Sequence, residues 1–261
     1  ARWSMVLATM VEADARPFVV PCATLKLDAP RRWLRLGWQD LRRAPRLSLL
    51  FGVVIMLLSV AVSAFAWSLG QFALLAVLLS GFVFVAPLIG VGLYCVSREL
   101  GAGREPSLSD SVTLTRRVVG QAGVFALALL VILLLWSRAG MMVSAFFPVQ
   151  AGEWDTLVDF LALGSLFGAL FASLTFATAA FSLPMIADRD VDMVTACVSS
   201  INAVLRNKAV MLLWAAIIVG LTILGFATAF IGLIVIMPWL AYSAWHSYRE
   251  TLDASAWPEL Q

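Results

Sequence analysis

The sequence predicts an all-α membrane protein with six transmembrane helices, arranged as three hairpin repeats that each follow a cytoplasmic amphipathic helix. Hydrophobic residues make up 62% of the 261 residues and charged residues only 13%, whereas soluble domains contain roughly 45–50% and about 25%. Long uncharged segments alternate with clusters of arginine, which is the pattern of helices that cross a bilayer. The composition also disfavours disorder, nucleic-acid binding and a disulfide scaffold.

Each predicted span is an uncharged apolar segment of roughly 20 residues or more, the length needed to cross a hydrocarbon core of about 30 Å. The first four spans cover residues 47–67, 72–96, 118–136 and 157–183. The next uncharged segment, residues 209–247, would form a helix of about 58 Å, which is too long for one crossing. We therefore divide it near residues 225–228 into two helices joined by a tight turn.

The distribution of basic residues predicts that both termini are cytoplasmic. Of the 18 Lys and Arg residues, only Arg138 falls on the opposite side, and basic residues concentrate on the cytoplasmic side of membrane proteins. We expect residues 1–29 to form a cytoplasmic tail, residues 30–251 the membrane domain and residues 252–261 a second cytoplasmic tail. We expect no secretory signal peptide, because the Arg-rich first 46 residues lack a long apolar segment. Cys22, Cys95 and Cys197 fall on the cytoplasmic side and are expected to be free thiols.

Three similar units follow one another along the chain. Short amphipathic stretches that contain basic residues precede the odd-numbered spans, at residues 38–48, 111–121 and 198–208. Each even-numbered span carries a proline near its cytoplasmic end: Pro87, Pro184 and Pro238. A parallel repeat explains this pattern. The alternative is that basic residues flank every membrane helix and that prolines are frequent in such helices.

Residues 30–46 combine aromatic and aliphatic side chains with arginines, which is typical of a helix that lies in the membrane interface. Indoles at headgroup depth and guanidinium groups on phosphates would give this helix a lipid-binding role. The alternative, which is compatible with the first, is packing on the protein's own cytoplasmic face. The predicted headgroup-binding residues are Arg31, Arg32, Trp33, Arg35, Trp38, Arg42 and Arg43.

Small residues recur every four positions in the fourth span, at Gly164, Gly168 and Ala172. Such a face allows close approach of another helix, either from this chain or from another subunit. Residues 139–148 are apolar but lie outside the third span, so they either lie flat on the outer surface or extend that helix. The prolines free backbone carbonyls, which can bind a substrate or be covered by neighbouring helices.

Residues with recognisable chemistry are scarce. Asp188, Asp190 and Asp192 suggest a metal site, but Asp192 also suits the N-terminus of a helix predicted over residues 194–205. His246, the one histidine, is either a ligand or a member of an interfacial aromatic belt. No metalloprotease, hydrolase, phosphate-binding or CxxC motif occurs, and no Asp, Glu or Lys lies in the middle of a span. We predict no catalytic, cofactor-binding or metal-binding residues and no cofactor.

The segment WLRLGWQDLRRAP at residues 33–45, followed by SLLFG at residues 48–52, resembles a family of proteobacterial inner-membrane proteins, domain of unknown function 2189. Residues 184–192 and 200–207 are similar to it as well, and the resemblance spans about residues 30–251. It implies a multi-pass protein of the bacterial inner membrane. Some members are described as related to cytochrome oxidase subunit I, but the single histidine contradicts that role. The family has no established activity, so it implies no functional residues.

These observations predict a non-catalytic membrane protein that serves as an accessory or assembly subunit of a larger respiratory or photosynthetic complex. Its expected partners are membrane lipids and other membrane-protein subunits, not nucleic acid. The alternative function is a carrier or channel for a small or lipid-like molecule, which requires a polar cavity around Pro87, Pro184 and Pro238.

Overall fold

A computed structural model of the chain describes residues 17–69, 89–146 and 154–260. These residues form eight helices and no strands, apart from the isolated bridges Cys22–Leu252 and Arg189–Glu259. The helices are α1 (Ala29–Arg43), α2 (Pro45–Leu69), α3 (residues 89–101 described), α4 (Leu108–Phe146), α5 (Trp154–Asp188), α6 (Met193–Arg206), α7 (Lys208–Ala227) and α8 (Leu233–Thr251).

Four of these helices are long and apolar enough to cross a membrane. The qualifying segments are Pro45–Phe65, Leu108–Met142, Val158–Asp188 and Lys208–Ala227, and they contain the predicted first, third, fourth and fifth spans, apart from the ends of the first and fourth. Most of the predicted second span lies in residues 70–88, outside the described residues. Helix α8, the predicted sixth span, carries Tyr, Ser, Trp and His side chains along its length. The all-helical membrane fold is confirmed, whereas the six crossings stay a prediction.

Local sequence signals determine where three helices begin. Pro45 opens α2, where its missing N–H is not needed, and Ala44 separates α2 from α1 with φ −123° and ψ 56°. Ser107 precedes α4 and forms a reciprocal cap, because its hydroxyl accepts the Asp110 N–H while Asp110 Oδ2 accepts the Ser107 N–H. The Asp192 carboxylate accepts the Thr195 N–H at 2.9 Å and caps α6.

The predicted division of residues 209–247 into two helices is confirmed. Helix α7 ends at Ala227 and α8 begins at Leu233, so the turn lies a few residues after the predicted position. Ala229 and Phe230 adopt positive φ values of 51° and 69°. The Thr228 hydroxyl donates to Gly225 O and accepts the Gly232 N–H, each at 2.8 Å, and these bonds hold the tight turn.

Helix α8 lies at the centre of the fold and packs against α1, α2, α5 and α7. Two glycines permit the close contacts with α1 and α2. A Cβ atom on Gly37 would lie 2.4 Å from Ser243 Oγ, and one on Gly52 would lie 1.9 Å from Ile234 O. Several polar residues of α8 are buried against other helices, which explains how so polar a helix occupies the interior: Tyr242, Ser243, Ser247, Tyr248 and Thr251.

The three predicted repeats differ in how the polar stretch joins the membrane helix. One residue, Ala44 or Asn207, separates the amphipathic helix from the membrane helix in the first and third units. The second unit has no such break, since α4 runs without interruption from Leu108 to Phe146. The described part of residues 139–148 thus extends the helix, as one of the two alternatives predicted. A threefold repeat stays a prediction.

Candidate functional site

Polar side chains from α1, α3, α5 and α8 meet at the end of the helix bundle where α3, α5 and α8 terminate. We call Asp40, Ser97, Asp188, His246 and Glu250, together with their hydrogen-bond partners, the polar layer. The chain brings these residues together from widely separated positions. Every buried side-chain nitrogen and oxygen in the described part of the chain has a hydrogen-bond partner, so the layer is internally satisfied.

Helix α1 is attached to this layer through Trp33, which has no exposed surface. Its Nε1 donates to Glu250 Oε2 at 2.8 Å, and its ring packs edge-on against Trp214 with centroids 5.5 Å apart. Arg32 pairs with both Asp28 and Glu250. The prediction that Trp33 contacts lipid headgroups is therefore wrong, because its indole is buried within the protein. Packing on the protein's own face, the alternative reading, describes this side of α1.

The opposite side of α1 is exposed and basic. Arg31, Arg35, Trp38 and Arg42 recur at helical spacing on this side, and Trp38 lies beside Trp239 with ring centroids 5.2 Å apart. No described carboxylate lies within salt-bridge distance of these arginines or of Arg43. An unpaired row of guanidinium groups suits anionic headgroups, and headgroup binding by the exposed residues stays a prediction.

His246 belongs to a hydrogen-bonded cluster that the sequence does not reveal. Its Nε2 lies 2.7 Å from Asp40 Oδ2, and the same oxygen accepts the Ser97 hydroxyl at 2.8 Å. Asp40 is buried, and His246 is about one-fifth exposed. The carboxylate thus links α1, α3 and α8 at one atom. Since both partners contact the acid rather than each other, the arrangement lacks the serine–base contact of a hydrolase.

Asp188 is the second buried acid of the polar layer and joins α5 to α8. Its Oδ2 accepts hydrogen bonds from Tyr248 at 2.8 Å, Arg249 at 3.0 Å and Arg189 at 3.2 Å. A cavity of about 280 Å³ lies between this group and Ser97. The predicted alternative of a metal site receives no support, because no group of three or more His, Cys, Asp or Glu side chains that could hold a metal ion occurs among the described residues.

The segments that flank the membrane domain pack back onto the protein, the C-terminal segment onto the polar layer and the N-terminal segment onto α6 and Asn207. Arg98 donates to Ala187 O and Leu260 O, and Arg189 donates to Trp257 O. The preceding segment binds α6, because the Val20 N–H donates to Ser199 and the Leu25 N–H donates to Asn207. The described parts of the two predicted tails are therefore ordered parts of the fold.

Neighbouring helices cover the backbone near two of the three prolines. Pro238 deprives Ile234 O of its usual donor, and Gly52 of α2 lies directly on that carbonyl. Near Pro184, the Ser200 hydroxyl donates to Ala177 O and accepts the Phe181 N–H, at 2.7 and 3.1 Å. Both prolines are buried, and Pro87 lies outside the described residues. The covered alternative thus applies to Pro238, whereas the carbonyl freed by Pro184 is that of Ala180, for which both alternatives stay predictions.

The small-residue face of α5 has no partner in the described part of the chain. A Cβ atom on Gly164 or on Gly168 would meet nothing within 4 Å, and Ala172 is exposed. The role of this face in helix packing stays a prediction, with its partner still to be identified.

The three cysteines are free thiols, as predicted. Cys95 and Cys197 are buried and Cys22 is partly buried. Burial raises the pKa of the Cys197 thiol, against an opposing hydrogen bond with Ser182. A raised pKa disfavours the reactive thiolate, so Cys197 acts as an apolar filler.

Sequence reasoning missed Asp40 and Ser97 as members of the polar layer, and Ser199 and Asn207 as partners of the N-terminal segment. Their polarity near charged clusters is the only local signal, and it does not specify partners.

Comparison with known proteins confirms the membrane assignment. The model of a family described as predicted integral membrane protein, domain of unknown function 2189, matches residues 74–188. This is the family that the sequence motifs resemble. No curated protein and no solved structure matches the chain.

Proposed function

We propose that this multi-pass membrane protein, similar over residues 74–188 to a family of predicted integral membrane proteins, is a non-catalytic accessory or assembly subunit. Its partner would be a larger respiratory or photosynthetic complex of the bacterial inner membrane. The observation that carries the proposal is the surface of the α4–α5 hairpin. The most apolar part of α5 has no buried residue, although the helix carries Gly164, Gly168 and Ala172 at a spacing of four residues.

Two features of the hairpin support a protein partner. Gly164 and Gly168 leave open space beside α5, and flanking leucines such as Leu166 and Leu170 are more than 60% exposed. Lipid chains are as apolar as leucine and do not require glycine, whereas another helix gains close van der Waals contact from it. The polar layer supports a structural role, since its polar side chains are engaged with one another.

Paired substitutions on α5 test the proposal. The double variant Gly164→Leu, Gly168→Leu should fold normally, because both positions face open space. It should lose at least tenfold in the recovery of the partner subunits that co-purify with the wild-type protein from native membranes. Mass spectrometry identifies and quantifies those subunits, and thermal unfolding in detergent checks the fold.

Gly220→Leu is the matched control, because Gly220 of α7 also faces open space but lies outside the small-residue face. It should leave partner recovery unchanged. Recovery of the wild-type protein as a lone chain, or an equal loss for the α7 control, would overturn the proposal.

The carrier or channel alternative receives less support. It needs a polar pathway near the prolines, but Gly52 covers the carbonyl freed by Pro238, and Ser200 bridges α5 near Pro184. Transport of a small molecule by reconstituted protein in vesicles would favour this alternative.

A further inference from the structure

A furrow with a volume of about 400 Å³ lies on the outer surface of the helices, between α5 and α7. It exists because α5 packs mainly on α4 and α6, whereas α7 packs mainly on α8. Residues of α6 close one end. Apart from Ser173 and Lys208, its lining is apolar, with Phe176, Leu212 and Ile218 as the larger side chains.

The only charged residue among those that line the furrow is Lys208, which lies at one end of it. Lys208 is the first residue of α7, and it is exposed. No described Asp or Glu forms a salt bridge with it. An ammonium group at the end of an apolar furrow complements a ligand with an anionic head and an apolar chain.

The length of the furrow points to the same ligand. Along α7 it extends from Lys208 to Val219, which is about 16 Å at 1.5 Å per residue. That distance is close to one leaflet, half of a hydrocarbon core of about 30 Å. An acyl chain of one leaflet therefore matches the furrow in length, and the mostly apolar lining matches it in polarity.

We propose that the α5–α7 furrow is a binding site for one anionic phospholipid, with an acyl chain along Phe176 and Ile218 and the phosphate at Lys208. The lipid would fill the space between two helices that do not pack tightly on each other. The furrow shares Ala172 with the small-residue face of α5 but does not include Gly164 or Gly168, and the proposal does not depend on the accessory-subunit role.

Native mass spectrometry of the purified protein tests the site with two lipids that share palmitoyl and oleoyl chains, phosphatidylglycerol and phosphatidylcholine. Wild-type protein should retain one phosphatidylglycerol in preference to phosphatidylcholine. Lys208→Gln should reduce phosphatidylglycerol retention about fivefold, since a cationic side chain at the membrane surface contributes about 1 kcal/mol, and should leave phosphatidylcholine retention unchanged.

Neighbouring alanines of α7 provide a matched pair for the acyl-chain part of the site. Ala215 lines the furrow, whereas Ala216 is exposed outside it. Ala215→Phe should abolish retention of both lipids, and Ala216→Phe should have no effect. The unfolding temperature of each variant, with and without phosphatidylglycerol, separates lost binding from lost folding. Equal retention of the two lipids by wild-type protein, or equal effects of the two alanine variants, would overturn the proposal.

Discussion

At the scale of single residues, glycines decide how closely α1 and α2 approach the central helix. Gly37 and Gly52 place backbone against backbone on α8, while Gly164 and Gly168 face open space. The same residue type therefore has two different roles in one chain. Position within the packed structure, rather than the intrinsic flexibility of glycine, separates them.

We expect Gly52→Ala to destabilise the protein by about 3 kcal/mol, because the added methyl group would lie 1.9 Å from the backbone oxygen of Ile234. A backbone atom cannot rotate away as a side chain can. Unfolding in detergent, followed by circular dichroism, measures the loss. Gly164→Ala is the control and should change stability little, since its Cβ meets nothing. Equal losses for both variants would contradict the account of Gly52.

Residue-level prediction from the sequence succeeded where the partner is local. The cap of Asp192 on Thr195 involves positions three residues apart, so the chain segment itself specifies it. His246 and Asp40 are 206 residues apart, and no local pattern connects them. The prediction for Trp33 was wrong for another reason, since an amphipathic helix has the same sequence pattern whether its aromatic face contacts lipid or protein.

At the scale of elements, helix α6 depends on Asp192 for its first turn. Burial alone would raise the pKa of this carboxyl, but hydrogen bonds from the Thr195 and Val194 backbone lower it below the ordinary value of 3.8. Because the pKa is lower in the folded state, the ionised carboxylate stabilises the fold at pH values above its ordinary pKa of 3.8. That contribution is lost as the pH falls through the folded-state value.

Replacing Asp192 with Ala should therefore cost about 1 kcal/mol at pH 7 through the loss of the cap. The difference from wild-type protein should shrink as the pH is lowered below about 4. Thermal unfolding at several pH values measures both effects. Asp190→Ala is the control, since Asp190 is exposed and its side chain has no hydrogen bond among the described residues. An Asp192→Ala variant as stable as wild type at pH 7 would contradict the capping role.

Element boundaries were predictable only where length or chemistry forced them. A span of crossing length cannot occupy residues 209–247, so the division into α7 and α8 followed from length alone. In the turn itself, Ala229 and Phe230 adopt positive φ values. Glycine favours such values, but alanine and phenylalanine rarely adopt them, so the sequence does not predict where the turn lies. The start of α4 was missed because polar residues before a span can continue the same helix.

At the scale of the whole molecule, the described ends of the chain lie together. The Ala23 N–H donates to Thr251 O at 2.8 Å, and the Asp253 N–H donates to Pro21 O at 2.9 Å. Two segments that pair with each other occupy the same side of a membrane. We therefore predict that the chain between them crosses the bilayer an even number of times.

Reporter fusions should place both ends in the cytoplasm. Green fluorescent protein after residue 261 should fluoresce, and alkaline phosphatase at the same position should be inactive. Alkaline phosphatase inserted within residues 147–153, between α4 and α5, should be active, because one crossing separates that connection from the charged end of α4. Active phosphatase at residue 261 would contradict the arrangement.

The contact between Trp33 and Glu250 joins positions that are 217 residues apart, so it also has a consequence for the order of assembly. At a synthesis rate of about 5–20 residues per second, Glu250 emerges from the ribosome roughly 10 to 40 s after Trp33. During this interval Trp33 lacks both its acceptor and the helix that covers it. Helix α1 is thus the first helix of the described chain to be made and among the last to dock.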